Sequence, residues 1–233
     1  LLSTARSRSI ACVSRPRTSS EANLAISLSF LRLRREKCLG MKKGLLVVIS
    51  GPSGAGKTAI CERLCQGDGI ARAVTATTRA MRAGEVDGID YHFLDIGNFE
   101  EMVDRGGFLE HAEVHKNLYG SPIAELEEQL ETTDVVLLNI DVQGAQQLMN
   151  RGVDALSIFL EPPSLAELQR RLESRGEEEK ETIELRMSDA LEELEMKAKY
   201  DHCVVNDVLD LAADRVLALI EESRAARRTA GDR

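Results

Sequence analysis

At 233 residues and 43% hydrophobic, the chain can bury a substantial core, as one α/β unit with inserted subdomains. A net charge of −9 and an aromatic content of 3% disfavour nonspecific nucleic-acid binding, and no apolar run is long enough to span a bilayer. The cysteines (Cys12, Cys38, Cys61, Cys65 and Cys203) are odd in number, follow no framework spacing and read as free thiols of a reducing, cytoplasmic compartment.

Residues 1–40 stand apart. They carry eight Arg or Lys against two Glu, whereas the remainder carries 22 basic and 37 acidic residues. The stretch is rich in Ser and Arg, begins with Leu and stops just before Met41-Lys42-Lys43. It reads as an organelle transit peptide or as codons translated upstream of a start at Met41. The second reading is preferred, because the folded pattern begins directly after Met41. On either reading it stays out of the core.

The next element is an apolar run, Leu45-Leu46-Val47-Val48-Ile49, predicted as a strand over 45–50. It leads into Gly51-Pro52-Ser53-Gly54-Ala55-Gly56-Lys57-Thr58, which fits G-x-x-x-x-G-K-[ST], and then into a helix over 58–66. Glycines in such a loop let consecutive backbone N–H groups point at phosphate oxygens, and the helix N-terminus adds a favourable dipole. Lys57 would place a mobile positive charge at the β- and γ-phosphates, and Thr58 a hydroxyl ligand for magnesium. Strand, loop and helix together imply binding of a nucleoside triphosphate. Cys61 and Cys65, four apart on this helix, read as buried small apolar residues rather than half a metal site.

Further strands are predicted at 135–140, 156–160 and 202–205, as short continuous apolar runs of the kind buried in parallel sheets. Helices are predicted near 98–105 and at 122–132, 142–151, 165–174, 180–199 and 208–228, with Pro163, Ser164 and Glu167 marking the capped start of the helix at 165. This alternation predicts an α/β, doubly wound three-layer fold around a parallel central sheet, occupying 41–228 before a short tail at 229–233. Residues 75–125 interrupt it with glycine-rich turns and short extended pieces, as an inserted subdomain.

Inside that insertion lie Thr75-Ala76-Thr77-Thr78-Arg79-Ala80-Met81-Arg82-Ala83-Gly84-Glu85 and Gly88-Ile89-Asp90-Tyr91. Phe108-Leu109-Glu110-His111-Ala112 and Leu118-Tyr119-Gly120-Ser121 follow. In this order behind such a loop, the segments resemble the guanylate kinase family, from about Lys43 to about Ile220. The resemblance implies a P-loop NTPase fold with a GMP-binding subdomain and a helical lid at about 165–190. It also implies transfer of the γ-phosphoryl group of ATP to GMP, with dGMP as a related acceptor, in purine nucleotide metabolism. ATP and GMP are then the small-molecule partners and Mg2+ the cofactor, with no nucleic-acid or membrane partner. Monomer and homo-oligomer both stay open.

The family pattern assigns Arg79, Arg82, Tyr91 and Tyr119 to the acceptor phosphate, for which a guanidinium offers paired, permanently charged donors. Glu110 falls at the base. Guanine presents N1–H and a 2-amino group side by side, and one carboxylate accepts both; adenine has neither and would leave the carboxylate unpaired. Asp141 falls near the 2-amino group, and Thr75 and Ser121, next to Gly120, offer hydroxyls toward the base. Many members carry Ser where this chain has Thr75, which keeps the hydroxyl. The lid brings Arg171, Arg175 and Arg186 toward the transferring group, beside a solvated acidic run from Glu177 to Glu181. Asn206 matches the position contacting the donor adenine. Members usually carry an acidic residue where this chain has Asn139, and strand alternation puts Asn139 and Asp141 on one side. Magnesium is thereby left to Thr58, the phosphates and water. Two rivals are a kinase for another small acceptor, disfavoured by Glu110 with Asp141, and a binding-only domain, disfavoured by retention of Lys57 and the lid arginines.

Overall fold

The computed structural model of the protein describes residues 44–114, 116–173 and 180–231. The expected N-terminal extension, Arg175 and residues 177–179 of the acidic run lie outside the described residues. In chain order the elements are β1 (Leu45–Ser50), α1 (Lys57–Leu64), β2 (Ile70–Arg72), β3 (Thr75–Thr77), β4 (Tyr91–Phe93) and α2 (Ile96–Asp104). Then come β5 (Phe108–Val114), β6 (Asn117–Pro122), α3 (Ile123–Thr132), β7 (Val135–Asn139) and α4 (Val142–Asn150). β8 (Leu156–Glu161), α5 (Leu165–Glu173), α6 (Lys180–Glu195), a 3-10 turn (Met196–Lys199), β9 (His202–Val205) and α7 (Leu209–Gly231) complete the chain.

The central sheet has the order β2-β7-β1-β8-β9, every pair parallel. Both faces of β1 are buried, as its uninterrupted apolar run requires. Leu45, Val47 and Ile49 join Ile60, Cys61 and Leu64 of α1 and Ala212, Ala213, Val216 and Ile220 of α7 in one core cluster. Leu46 and Val48 alternate to the opposite face and are equally buried. On the sheet, α3 packs against β7 and α4 against β1. The result is the three-layer α/β arrangement with a parallel centre.

A second sheet, β4-β3-β6-β5, sits in the insertion and is mixed: β3 and β4 run parallel, while β6 is antiparallel to β3 and β5. Its small core is Ala76, Phe99 and Phe108, with Leu94, Met102, Val103 and Leu118 packed around it. The rings of Phe99 and Phe108 stack at 4.5 Å, a pairing worth about 0.5–1.5 kcal/mol beyond area burial. Asp95 caps α2 by accepting the Asn98 N–H at 2.8 Å.

Most element ends shift by a residue or two from the sequence expectation, and three differences are larger or of another kind. The helix predicted over 180–199 stops at Glu195, and the last turn tightens to 3-10 before Tyr200. The C-terminal helix runs to Gly231, its end rich in Ala and Arg, which are good helix formers. β2 was not predicted: it is a three-residue edge strand, half-buried throughout and too short to display a period.

Candidate active site

The carboxyl ends of β1 and β7 open into a cleft of about 850 Å³ whose other wall is the second sheet. Location at the strand ends of an open parallel sheet is where such folds bind ligands. The first wall is the loop Gly51–Thr58. Gly51 holds φ 139° and lies so close to β8 that a Cβ there would sit 2.3 Å from the Leu160 carbonyl oxygen. Gly56 is the left-handed residue before α1, and a Cβ there would sit 2.3 Å from Asn206 Nδ2. No side chain caps α1 and its first turn has no acidic residue, which leaves its amide groups to an anion. Lys57 Nζ donates to the carbonyls of Gly51 at 2.5 Å and Pro52 at 3.1 Å, folded back over its own loop. Thr58 Oγ1 accepts from Asn139 Nδ2 at 3.3 Å.

Two further side chains support this loop. Tyr200 OH donates to Ser50 Oγ at 3.0 Å just before the first glycine, and burial pushes the Tyr200 phenol up to about 12. Glu193 of α6 accepts the Ser53 N–H, and burial pushes its carboxyl up to about 7, opposed by the charge of Lys57 and aided by Asp141.

On the second wall, the Arg79 guanidinium is held by both oxygens of Glu85, at 2.8 and 3.1 Å, and by the Ala80 carbonyl at 2.7 Å. It lies 5.5 Å from the Tyr91 ring centre, and Tyr91 meets Tyr119 edge to face at 6.2 Å. The Arg79 hydrogen bond holds the Glu85 carboxyl below its ordinary range against the opposite pull of burial. Arg82 stands exposed on the same rim, its backbone N–H given to Glu85 at 2.7 Å. The four side chains expected at the acceptor phosphate, Arg79, Arg82, Tyr91 and Tyr119, therefore line one wall.

Deeper in the same cleft is Glu110, 2% exposed, whose Oε1 accepts from Ser121 Oγ. Burial pushes this carboxyl up to about 8; the Ser121 hydrogen bond opposes the shift and the charge of Asp141 adds to it. Thr75 and Ser121 are buried beside it, and Gly120 presses so close to Phe108 that a Cβ would meet its ring at 2.9 Å. Asp141 also lines the cleft, with Oδ1 engaged as the N-cap of α4 on the Gly144 N–H at 2.9 Å.

Arg186 of α6 reaches the cleft wall together with Asp189 and Glu193. Arg171 does not share that wall: it is turned to Glu167 at 2.8 Å and to the Asn206 carbonyl at 3.0 Å. Asn206 is 5% exposed and gives Nδ2 to the Ala55 carbonyl at 2.8 Å, so here it buttresses the loop. Among the described residues no group of three His, Cys, Asp or Glu side chains forms a metal site. The Thr58 hydroxyl is a hard oxygen of the kind that would suit magnesium. Sequence reasoning missed Glu85, Glu193 and Arg72, the last lining the cleft with its guanidinium donating to the Ile89 carbonyl at 2.9 Å. Glu85 had a signal, an acid six residues after Arg79 across the Gly84 turn; Glu193 had none, sitting among solvated glutamates such as Glu192 and Glu195.

The sequence model of the family described as guanylate kinase matches residues 43–223. A guanylate kinase of Halalkalibacterium halodurans is 45% identical over 187 residues, covering 80% of this chain and 92% of that protein. One from Ruegeria sp. is 45% identical over 189 residues, covering 80% and 87%. The crystal structure of guanylate kinase from Anaplasma phagocytophilum superposes with a TM-score of 0.66 at 33% identity, covering 78% of this chain and 87% of that one. A nucleotide loop facing a buried carboxylate and an arginine–tyrosine wall, on a chain matched over this span, places the protein in the guanylate kinase family, the nucleoside monophosphate kinases that phosphorylate GMP with ATP.

Proposed function

We propose that this chain transfers the γ-phosphoryl group of ATP to GMP, and to dGMP by the same base edge, with its roles divided between the two walls. The observation that carries this reading is the meeting, in one cleft, of Lys57 and Thr58 with Arg79, Tyr91, Tyr119 and Glu110. ATP phosphates occupy the amides of Gly51–Thr58, and Lys57 leaves the Gly51 and Pro52 carbonyls for the β- and γ-oxygens. Asn206 and the loop backbone border the donor nucleoside.

GMP enters with its phosphate toward Arg79, Arg82, Tyr91 and Tyr119, and its base toward Glu110, Thr75, Ser121 and Asp141. Glu85 holds the Arg79 fork in plane, so little ordering remains when phosphate arrives. Residues 75–125 act as the acceptor subdomain and about 165–190 as the lid. Within the lid Arg186 meets the transferring group, and Arg171 acts through the Asn206 backbone. The acceptor phosphate is already an anion, so the γ-phosphoryl group passes in line without a general base or a covalent enzyme intermediate. Magnesium, held by Thr58, phosphate oxygens and water, supplies charge neutralisation when bound. The free thiols Cys61, Cys65 and Cys203 suit a reducing, cytoplasmic setting, and no helix of the described residues is long and apolar enough to cross a membrane.

The test is ATP-dependent phosphorylation of a nucleoside monophosphate panel with magnesium. GMP is the best acceptor by a wide margin; equal use of AMP or UMP removes the base-reading role of Glu110, and no transfer at all leaves a binding-only domain.

A further inference from the structure

β5 carries an irregularity at the residue that reads the base. Phe108 pairs with Pro122 and His111 with Gly120, so Leu109 and Glu110 together face the single residue Ser121. Such a bulge re-aims a side chain, and here it turns the Glu110 carboxylate onto Ser121 Oγ. It also takes local backbone groups out of the ladder with β6, and buried groups of that kind need other partners.

Three backbone groups flanking Glu110, the N–H and carbonyl of His111 and the carbonyl of Leu109, find partners on one face of α4. Gln147 brackets His111, accepting its N–H at Oε1 at 3.4 Å and donating Nε2 to its carbonyl at 2.7 Å. Arg151 donates to the Leu109 carbonyl. One turn before Gln147 the same face reaches Gly144, and it is bare there for a visible reason. A Cβ on Gly144 would stand 2.3 Å from Glu110 Oε2 and 2.9 Å from its Cδ. Residues 144, 147 and 151 are spaced i, i+3 and i+7, a single stripe on a helix. The base-reading carboxylate thus sits with Oε1 on Ser121 and Oε2 against a helix backbone that leaves it no slack.

We infer that Gly144, Gln147 and Arg151 form a positioning stripe that fixes the depth and aim of Glu110, so that guanine selectivity is set from behind the pocket by α4. This rests on Glu110 as the base-recognition residue. An alanine at 144 displaces the carboxylate toward the cleft, and loss of Gln147 frees the bulged backbone that carries it. Neither change touches the loop wall.

The experiment compares full-length protein with Gly144→Ala, Gln147→Leu and Glu110→Gln, using GMP and IMP, which lacks only the 2-amino group. Gly144→Ala should raise the KM for GMP by about tenfold or more, and Gln147→Leu by about three- to tenfold, with the GMP-over-IMP preference in kcat/KM falling in step. The KM for ATP should stay within about twofold in both, a split that general loosening of the fold would not produce. If Gly144→Ala does not fold, Gln147→Leu decides alone. Folded α4 variants with the parent KM for GMP and the parent preference overturn the proposal while Glu110→Gln still collapses the preference. If Glu110→Gln also leaves the preference intact, the base-reading assignment itself falls and takes the stripe with it.

Discussion

Glu110 is a buried carboxyl group, 2% exposed, and its protonation should govern acceptor binding. Burial lifts it to about 8, so at neutral pH it is mostly the neutral acid. In the proposed base-reading role the guanine donors require the ionised form, so GMP binding should release a proton, and affinity should rise with pH up to about 8 and level off above. The stability sign follows from the same raised value. The native state holds the extra proton between the unfolded and folded pKa, so this contribution is complete below about 4.5 and lost as pH rises through about 8. Glu110→Gln, permanently neutral, should therefore gain thermal stability over the parent at pH 9 relative to pH 5, while GMP use falls roughly 10²-fold. Any slope from ionisation of GMP itself persists in that variant; calorimetry showing equal proton release by both proteins would sink the idea. Asn139 gives a second residue-scale outcome. Its amide donates onto Thr58 Oγ1, using a lone pair that Thr58 would need in its proposed role as a magnesium ligand. Asn139→Asp accepts from the Thr58 hydroxyl instead and adds an anion, so it should lower the magnesium concentration giving half-maximal rate. Superimposable magnesium titrations would place residue 139 outside the metal's hydration shell.

Among the elements, α6 does more than join the proposed lid to the core. Arg186, Asp189 and Glu193 all reach the cleft, and Glu193 holds the Ser53 amide of the nucleotide loop. On the proposed function, Arg186, carried by an element that also touches the loop, acts on charge developing during transfer. Arg186→Ala should accordingly lower kcat by about 10²-fold or more, and leave GMP affinity within a few-fold. A variant that loses GMP affinity while keeping its turnover would move Arg186 out of the lid. The elements also explain what was legible beforehand. β1, β7, β8 and β9 were readable because their apolar runs are the code of a doubly covered parallel sheet. The glycine loop was readable because its backbone geometry admits few sequences: Leu160 leaves no room for a side chain at Gly51. β3, β5 and β6 were legible only as extended pieces, since Thr75, Thr77, Glu110 and Ser121 are buried polar residues that break the apolar pattern. Thr75, Glu110 and Ser121 are those we propose for the acceptor base, while the Thr77 hydroxyl accepts the Arg79 N–H at 3.2 Å. The bulge at Glu110 and its support from Gln147 had no local signal, being a pairing between segments 36 residues apart.

At the scale of the whole molecule, an enzyme for two polyanions carries a net charge of −9, and residues 41–233 alone hold 37 acidic against 22 basic side chains. The cleft itself is lined by Lys57, Arg72, Arg79, Arg82 and Arg186, but also by a larger set of carboxylates that includes Glu85, Asp90, Asp141, Asp189 and Glu193. Attraction for phosphate is therefore short-ranged, built from the loop amides, Lys57 and the Arg79 fork. Repulsion is long-ranged and belongs to the net charge. At low salt, with a Debye length of about 30 Å at 0.01 M, an approaching GMP dianion senses the net charge well before it reaches Arg79. At 0.15 M the length shrinks to about 8 Å, and only the local donors count. The association rate of GMP should then rise by about two- to fivefold between these salt concentrations, opposite in sign to a site that steers anions from a distance. The dissociation rate should also rise, because screening weakens the contacts within the cleft, so equilibrium affinity moves less than either rate. Stopped-flow measurement of GMP binding across this salt series decides the matter. A falling association rate would mean that the arginine wall projects a positive potential beyond the mouth of the cleft, and that the surrounding carboxylates do not set the approach.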